Sequence, residues 1–359
     1  MSATAQKDDT KEGFGAASAR RRTIWRALGS GVFAELSPIA KSAVGIVGLA
    51  ILIGIVTALY NSVPAEGDPG IAINFPEEWV FGWEAIKWID SLVDWVVVNW
   101  EPFFIVIRTV VLGILIPFRD FLQWLPWWLV IAGTGLISWR MVSTKFGITA
   151  VGFLVFMSFM GLIDLLMLTL AITLTATLLC VVVGIPLGTV AARSNRFDAM
   201  LRPILDGMQT MPSFVYLIPA LMLFGLGMTP AVMATSIYAI SPIIRLTNLG
   251  IRQVDSSVVE AGRAFGATPW QLLRKVQVPL ALPTIMAGLN QTVMMALAMV
   301  IIASMIGAKG LGAEVLTGIA RLEPGRGFIA GISIVFTAII LDRISHGFAS
   351  RRPQARVMS

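Results

Sequence analysis

The sequence predicts an all-α polytopic membrane protein of about eight transmembrane helices, and three observations carry that prediction. Of its 359 residues 56% are hydrophobic and only 13% charged, where a soluble domain has about 25% charged residues. Mean hydropathy is +0.81. Apolar runs near the length needed to cross a hydrocarbon core of about 30 Å, about 20 helical residues, recur along the chain. The pI of 9.8 does not point to nucleic acid. No basic stripe with interleaved aromatics is present, and membrane proteins collect Lys and Arg on their cytoplasmic side. The one cysteine, Cys180, lies in an apolar run, so no disulfide or metal site is readable. The one histidine, His346, sits near a basic C-terminus and reads as a solvated tail residue.

Taken in order, residues 1–42 read as a cytoplasmic tail, partly disordered, with Arg20, Arg21, Arg22 and Arg26 fixing its side of the membrane. Residues 43–60 are the first span, too deep in the chain for an ordinary cleavable signal peptide. Residues 61–124 belong outside, because Glu66, Asp68, Glu77, Glu78, Glu84, Asp90 and Asp94 face a single Lys87 up to residue 100. Within that segment Glu84, Lys87, Ser91 and Asp94 take one helical face and Ile86, Ile89, Val93, Val96 and Trp100 the other. Eight of the eleven tryptophans fall between 79 and 128. Tryptophan favours the headgroup layer, so an N-terminal interfacial amphipathic helix is expected there.

Two peripheral spans follow within 125–163, at 125–140 and 147–163. The core, 164–346, holds spans at 166–190, 212–228, 231–250, 284–306 and 327–345. Arg193, Arg196 and Arg202 mark 191–203 as a cytoplasmic loop, and 347–359 is a basic cytoplasmic tail. Residues 101–118 are apolar but contain Arg108 and Pro117. Counting crossings back from 191–203 leaves no room for them to cross once, so they are expected to lie along the membrane or to dip and return. The alternative is a true span with an inverted N-terminus.

The chemistry of an enzyme is missing. There is no HExxH, no Cys/His cluster and no GxSxG elbow. Of seven lysines only Lys41 precedes a serine, with Ala40 where a phosphate loop needs glycine. Spans 212–228 and 284–306 contain no charged residue, whereas ion-coupled carriers place ionisable groups at mid-membrane. Asn290 and Gln291, with Met294 a turn later, are the candidate pathway residues. Interhelical hydrogen bonding is their plainer reading.

One polar stretch between spans stands out: VEAGRAFGATPWQLLRKVQVPLALP, from Val259. Asp255 or Ser256 can cap a short helix ending at Gly266, a residue that tolerates positive φ. Thr268-Pro269 then caps a second helix, expected to stop before Pro279. Two capped helices at a glycine corner make a cytoplasmic knob. Val258, Ala261, Ala264 and Phe265 give it an apolar face, and Glu260, Arg263 and Arg274 give it charge.

Glu260-Ala261-Gly262, three residues, Gly266, nine residues, then Val276-Gln277-Val278-Pro279 resembles the EAA loop of ATP-binding cassette importer permeases. Gly262 stands where that family has alanine, Val276 where it has isoleucine and Val278 where it has leucine. ILDGMQTMPSFVYLIPALMLFGLG (204–227), SPIIRLTNLGIRQV (241–254) and the run 279–316 are similar to the permeases of glycine betaine/proline betaine importers and related choline systems. Residues 1–76 depart from shorter family members. The resemblance implies a type I ABC importer permease core with its coupling loop at 254–280. It implies that Glu260, Ala261, Gly262, Arg263, Gly266, Val278 and Pro279 form the coupling to cytoplasmic ATPase subunits, which bind the ATP and Mg. It also implies a permease homodimer in a bacterial inner membrane and a periplasmic substrate-binding protein, while the Lys and Arg distribution puts both termini in the cytoplasm. Permeases of histidine or other amino-acid importers, a secondary carrier or channel, and a membrane-tethered sensor remain the competing readings.

Overall fold

The computed structural model describes residues 46–55 and 82–350. The expected tail at 1–42, both flanks of the expected span 43–60, all of 61–81, and the expected tail 347–359 beyond residue 350 lie outside the described residues. The chain divides into two units, Met1–Asp90 and Ser91–Ser359. The first contributes an exposed apolar helix, α1 (Ile46–Ile55), and the beginning of α2 (Gly82–Asn99).

α2 has no buried residue. Trp83, Trp88 and Trp95 are all exposed along it. α3 (Glu101–Trp124) begins with Pro102 in its first turn, where the missing N–H is not needed. It is one 24-residue helix, long and apolar enough to cross a membrane, where 101–118 was expected to lie along the membrane or to dip and return. Its Val111 and Leu115 are buried, in the cluster that includes Ala171, Ile172 and Ala176. Phe104, near its start, meets Phe224 edge-on at 5.7 Å.

α4 (Trp127–Met141) and α5 (Thr144–Phe159) form an antiparallel pair. A Cβ on Gly135 would strike Val151 and one on Gly147 would strike Trp139, so the two helices touch at their glycines. The core follows: α6 (Ile163–Arg193), α7 (Asn195–Thr210), a 3-10 turn (Ser213–Tyr216) running into α8 (Leu217–Phe224), and α9 (Met228–Arg252). α7 is a correction to the expected loop at 191–203. Its Asp198, Arg202 and Asp206 recur every four residues, and Ser194 caps it through Phe197 N at 3.3 Å. The expected span 212–228 is likewise not one straight helix. α7 and Ser213–Phe224 meet at 109°, so only together could they be a broken span or a re-entrant loop.

After α9 come two short helices, α10 (Ser256–Ala264) and α11 (Pro269–Leu272), then α12 (Val278–Ala303), α13 (Leu311–Ala320) and α14 (Pro324–Ser350). Every described element is helical, and no strand occurs among the described residues. Among the described residues four helices are long and apolar enough to cross a membrane, or up to five with the bent pair. α13 was not foreseen: at ten residues it falls below the length of a span.

Small residues set the core packing. A Cβ on Gly184 would lie 2.5 Å from Ile243 Cγ2, and one on Gly188 would lie 2.6 Å from the Ile244 carbonyl oxygen. α6 and α9 therefore run parallel, nearly backbone to backbone, the arrangement that small residues four apart permit in membranes. Gly250 faces Ala281 and Thr284, and Gly288 faces Leu246 and Ile243, so α12 runs antiparallel to α9. The Ser236 hydroxyl donates to the Ala176 carbonyl across the first pair at 3.4 Å. An interhelical hydrogen bond contributes only about 0.6 kcal/mol on average in a bilayer, so close packing holds these helices together more than the hydroxyl does.

Candidate functional site: a capped hairpin at one end of the bundle

Arg252 ends α9, and three residues later Asp255 begins the polar hairpin. The Asp255 carboxylate accepts from Ser257 N at 2.8 Å, which caps α10. That backbone hydrogen bond holds the exposed Asp255 carboxyl below the usual carboxylate range. α10 closes on Gly266, whose φ of +77° is open to glycine. Gly266 N donates to the Arg263 carbonyl at 2.9 Å and Ala267 N to the Gly262 carbonyl at 3.1 Å. This pair of bonds satisfies the last carbonyls of the helix and turns the chain sharply.

Thr268 then makes a reciprocal cap. Its hydroxyl accepts from Gln271 N at 3.3 Å, and its own N–H donates to the Gln271 side chain at 2.9 Å. Pro269 fills the first turn. The second helix does not stop before Pro279 as expected. It passes through a π turn (Leu273–Gln277) directly into α12, so 269–306 is one continuous helical rod. The widened turn explains how Pro279 is accommodated: a proline ring clashes with the carbonyl four residues back, here Lys275, and a π turn relaxes that spacing.

The structure sorts the expected coupling residues into tip and root. Glu260, Ala261, Arg263 and Gly266 are exposed on the first helix and its corner, whereas Gly262 is half-buried. Val278, half-buried, and Pro279 sit at the foot of α12. Phe265 is 93% exposed at the tip, and Trp270 is also exposed. The sequence reading passed over Trp270, although a tryptophan in a polar stretch away from any apolar run was a usable signal. Glu260, Arg263, Arg274 and Lys275 are in no ion pair found among the described residues. Behind the hairpin lies a cleft of about 540 Å³, walled by Val259 and Leu272 and rimmed by Arg193, Arg252 and Arg263.

The three candidate pathway residues part company. The Asn290 amide donates to Asp342 on α14 at 2.8 Å and lies 3.2 Å from His346 Nε2. His346 is thus part of α14, 3.6 Å from Asp342, rather than a free tail residue. Gln291 is exposed and Met294 half-buried, on a stripe that continues through Ala287 and Ala298. Among the described residues no group of three or more His, Cys, Asp or Glu could hold a metal.

Residues 184–352 match the family described as binding-protein-dependent transport system inner membrane component. The chain is similar to the glycine betaine/proline betaine transport system permease protein of Escherichia coli (strain K12), 49% identical over 72% of this chain and 73% of that one. It is also similar to the glycine betaine/carnitine transport permease protein of Listeria monocytogenes serotype 1/2a (strain 10403S), 47% identical over 73% and 94% of the two chains. The glycine betaine transport system permease protein of Bacillus subtilis (strain 168) is 42% identical over 74% and 94%.

Proposed function

The chain belongs to the family of binding-protein-dependent transport system inner membrane components, and from that premise we propose that it is the permease subunit of an ATP-driven importer of quaternary amine osmolytes such as glycine betaine, proline betaine or choline. One observation carries the proposal: a doubly capped hairpin presents the almost fully exposed Phe265 between Glu260, Arg263 and the left-handed corner at Gly266. Val258, Phe265 and Trp270 are all exposed on this polar, capped element, and aromatic residues of this kind serve as anchors for protein partners. The partner we assign is a cytoplasmic ATP-binding cassette subunit, which carries the ATP, the Mg and the hydrolysis; the permease itself has no catalytic residue.

Two permease copies enclose the route in this scheme, and a periplasmic binding protein delivers solute from outside. ATP binding draws the two ATPase subunits together, and the hairpins follow. The continuous rod 269–306 supports this reading, because movement of the hairpin's second arm is movement of the foot of α12 without an intervening joint. The spans then switch from inward- to outward-facing, and hydrolysis resets them. We assign Gln291, exposed, and Met294, half-buried, to the route. About eight spans, both termini cytoplasmic, with α2 in the outer interface, complete the topology. For α3 we favour a surface position over a crossing. Arg108 and Pro117 inside its apolar run support this reading.

The test is reconstitution in vesicles with the ATPase and binding-protein subunits, measuring uptake of labelled glycine betaine, choline and histidine. ATP-dependent uptake of a quaternary amine is expected. Uptake without ATP or partners would make the chain a secondary carrier or channel, and preference for histidine would move it to an amino-acid importer.

A further inference from the structure

Outside the hairpin and the pathway stripe, one polar cluster is built more tightly than the rest. Asp198, on the first turn of α7, is only 5% exposed. Its carboxylate accepts from Arg202 Nη2 at 2.6 Å and from Asn248 Nδ2 at 2.7 Å, and Arg252 Nη2 lies 3.5 Å away. Arg252 in turn donates to Asn248 Oδ1 at 2.8 Å, to Asn195 Oδ1 at 2.7 Å and to the Ala191 carbonyl at 2.7 Å. One guanidinium therefore ties the ends of α6 and α9 to the start of α7. It also crowns the C-terminus of α6, where a positive charge is favoured. The next pair along α7, Asp206 with Arg245 at 2.6 Å, is much more exposed.

The position of this knot is what gives it a role. Arg252 is the last residue of α9, three residues before the Asp255 cap of the coupling hairpin, and it lines the cleft behind that hairpin. α7 leads in the other direction to the 109° bend and α8. The Tyr216 hydroxyl donates to the Met208 carbonyl across the bend. At the far end of α8, Gly227 N donates to the Ile306 carbonyl at 2.9 Å. The bent α7–α8 element is thus fastened at one end to the root of the hairpin and at the other to the end of the α12 rod.

We propose that Asp198 is a positioning residue for transport: through Arg252 and Asn248 it makes the α7–α8 element move with the root of the coupling hairpin. A buried carboxylate held by two hydrogen bonds, with a second guanidinium 3.5 Å away, is tied to one arrangement, because loss of its charge weakens both ion pairs and the Asn248 bond together. With the knot loosened, the partner ATPase can still dock on the intact tip and turn over, but its stroke no longer reaches α7 and α8. The role rests on the permease reading proposed above.

The experiment uses the complete complex in vesicles and reads two quantities together, ATP hydrolysed and labelled glycine betaine taken up. Asp198→Asn is expected to keep binding-protein-stimulated hydrolysis within about twofold while uptake per ATP falls about tenfold, a size typical of a coupling between sites. Asp206→Asn, on the exposed pair, is expected to leave the ratio unchanged. A damaged fold lowers both quantities, so the ratio separates positioning from mere stability. If Asp198→Asn does not assemble, Asn248→Ala is read the same way, since it removes one donor and leaves the charges. A wild-type ratio in the assembled variant overturns the proposal. Absence of ATP-driven uptake in the wild-type complex itself would instead overturn the permease reading.

Discussion

The Cβ that Gly262 lacks would stand 2.7 Å from Leu272 Cδ1, so the first arm of the capped hairpin lies directly against the second. Leu272 is buried there, and the atom that would collide is the far end of a flexible side chain. Alanine, the residue that the EAA pattern has at this place, can therefore enter with a small rotation of Leu272. Gly262→Ala is expected to keep solute-stimulated hydrolysis within about twofold. Gly262→Leu, which must displace Leu272 altogether, is expected to lose coupling; overpacking of this kind costs about 1–3 kcal/mol. Hydrolysis by the reconstituted pairs of variants checks both.

Gly266 poses the opposite problem. Nothing lies within 4 Å of a Cβ built on it, and its φ is +77°. Its requirement is conformational, not steric. Asparagine, which tolerates the left-handed region, is expected to work, whereas Gly266→Leu incurs about 1–2 kcal/mol of backbone strain and opens the corner. Glu260→Arg leaves the corner intact but reverses charge at the tip. Gly266→Leu and Glu260→Arg are both expected to abolish solute-coupled hydrolysis with membrane insertion retained, and Gly266→Asn to preserve it. Equal uptake by all three in vesicles would contradict the docking role.

Phe265 separates docking from folding. At 93% exposure it supports nothing within the chain, so Phe265→Ser is expected to leave the thermal midpoint of the isolated permease unchanged. Aromatic anchors at interfaces commonly contribute about 2 kcal/mol or more, which corresponds to about thirtyfold weaker capture of the ATPase subunit. Co-purification over a dilution series measures it.

These hairpin features were legible because each rests on local chemistry: Asp255 and Thr268 as caps, Pro269 in a first turn, Gly266 at a corner. Continuity through Leu273–Gln277 was not legible, because Pro279 signals a break unless a widened turn precedes it. The four-residue spacing of Asp198, Arg202 and Asp206, with Ser194 ahead, was a helix signal in plain view. It was outweighed by the use of arginines as markers of a loop. The Asp198–Asn248–Arg252 knot joins residues about fifty positions apart, and no spacing rule reaches that far.

The Asp255 cap gives a pH dependence with a definite sign. Its folded carboxyl titrates below the ordinary value, chiefly through the Ser257 backbone hydrogen bond. Its contribution is therefore present above the unfolded pKa of about 3.9 and lost as pH falls through the lower folded value. Amide exchange over 256–259 is expected to be slow and flat from neutral pH down to about 4, after correction for intrinsic rates, and to quicken below that. Asp255→Asn retains a capping oxygen and is expected to remove the acid-side change, whereas Asp255→Ala is expected to exchange fast at every pH.

Asn290 and Gln291 are neighbours on α12 with opposite surroundings, and that contrast decides their roles. Asn290 is turned to Asp342 and His346 on α14, a tie between helices. Gln291 faces outward about 20 Å along the α12 rod from Val278, by the helical rise. A polar amide held against lipid at that depth is costly. It is retained more readily if its face borders a watery route shared with a second copy. Asn290→Ala is accordingly expected to lower the thermal midpoint and leave the solute preference unchanged. Gln291→Leu is expected to leave the midpoint unchanged and alter uptake. Single cysteines separate the two cases without mutational loss of function, because the native Cys180 is buried and silent. Gln291→Cys and Met294→Cys are expected to react with a charged thiol reagent, faster in one nucleotide state than in the other, whereas Asn290→Cys is expected to stay protected. If position 291 reacts only with a lipid-soluble reagent, the stripe faces the bilayer and the route lies elsewhere.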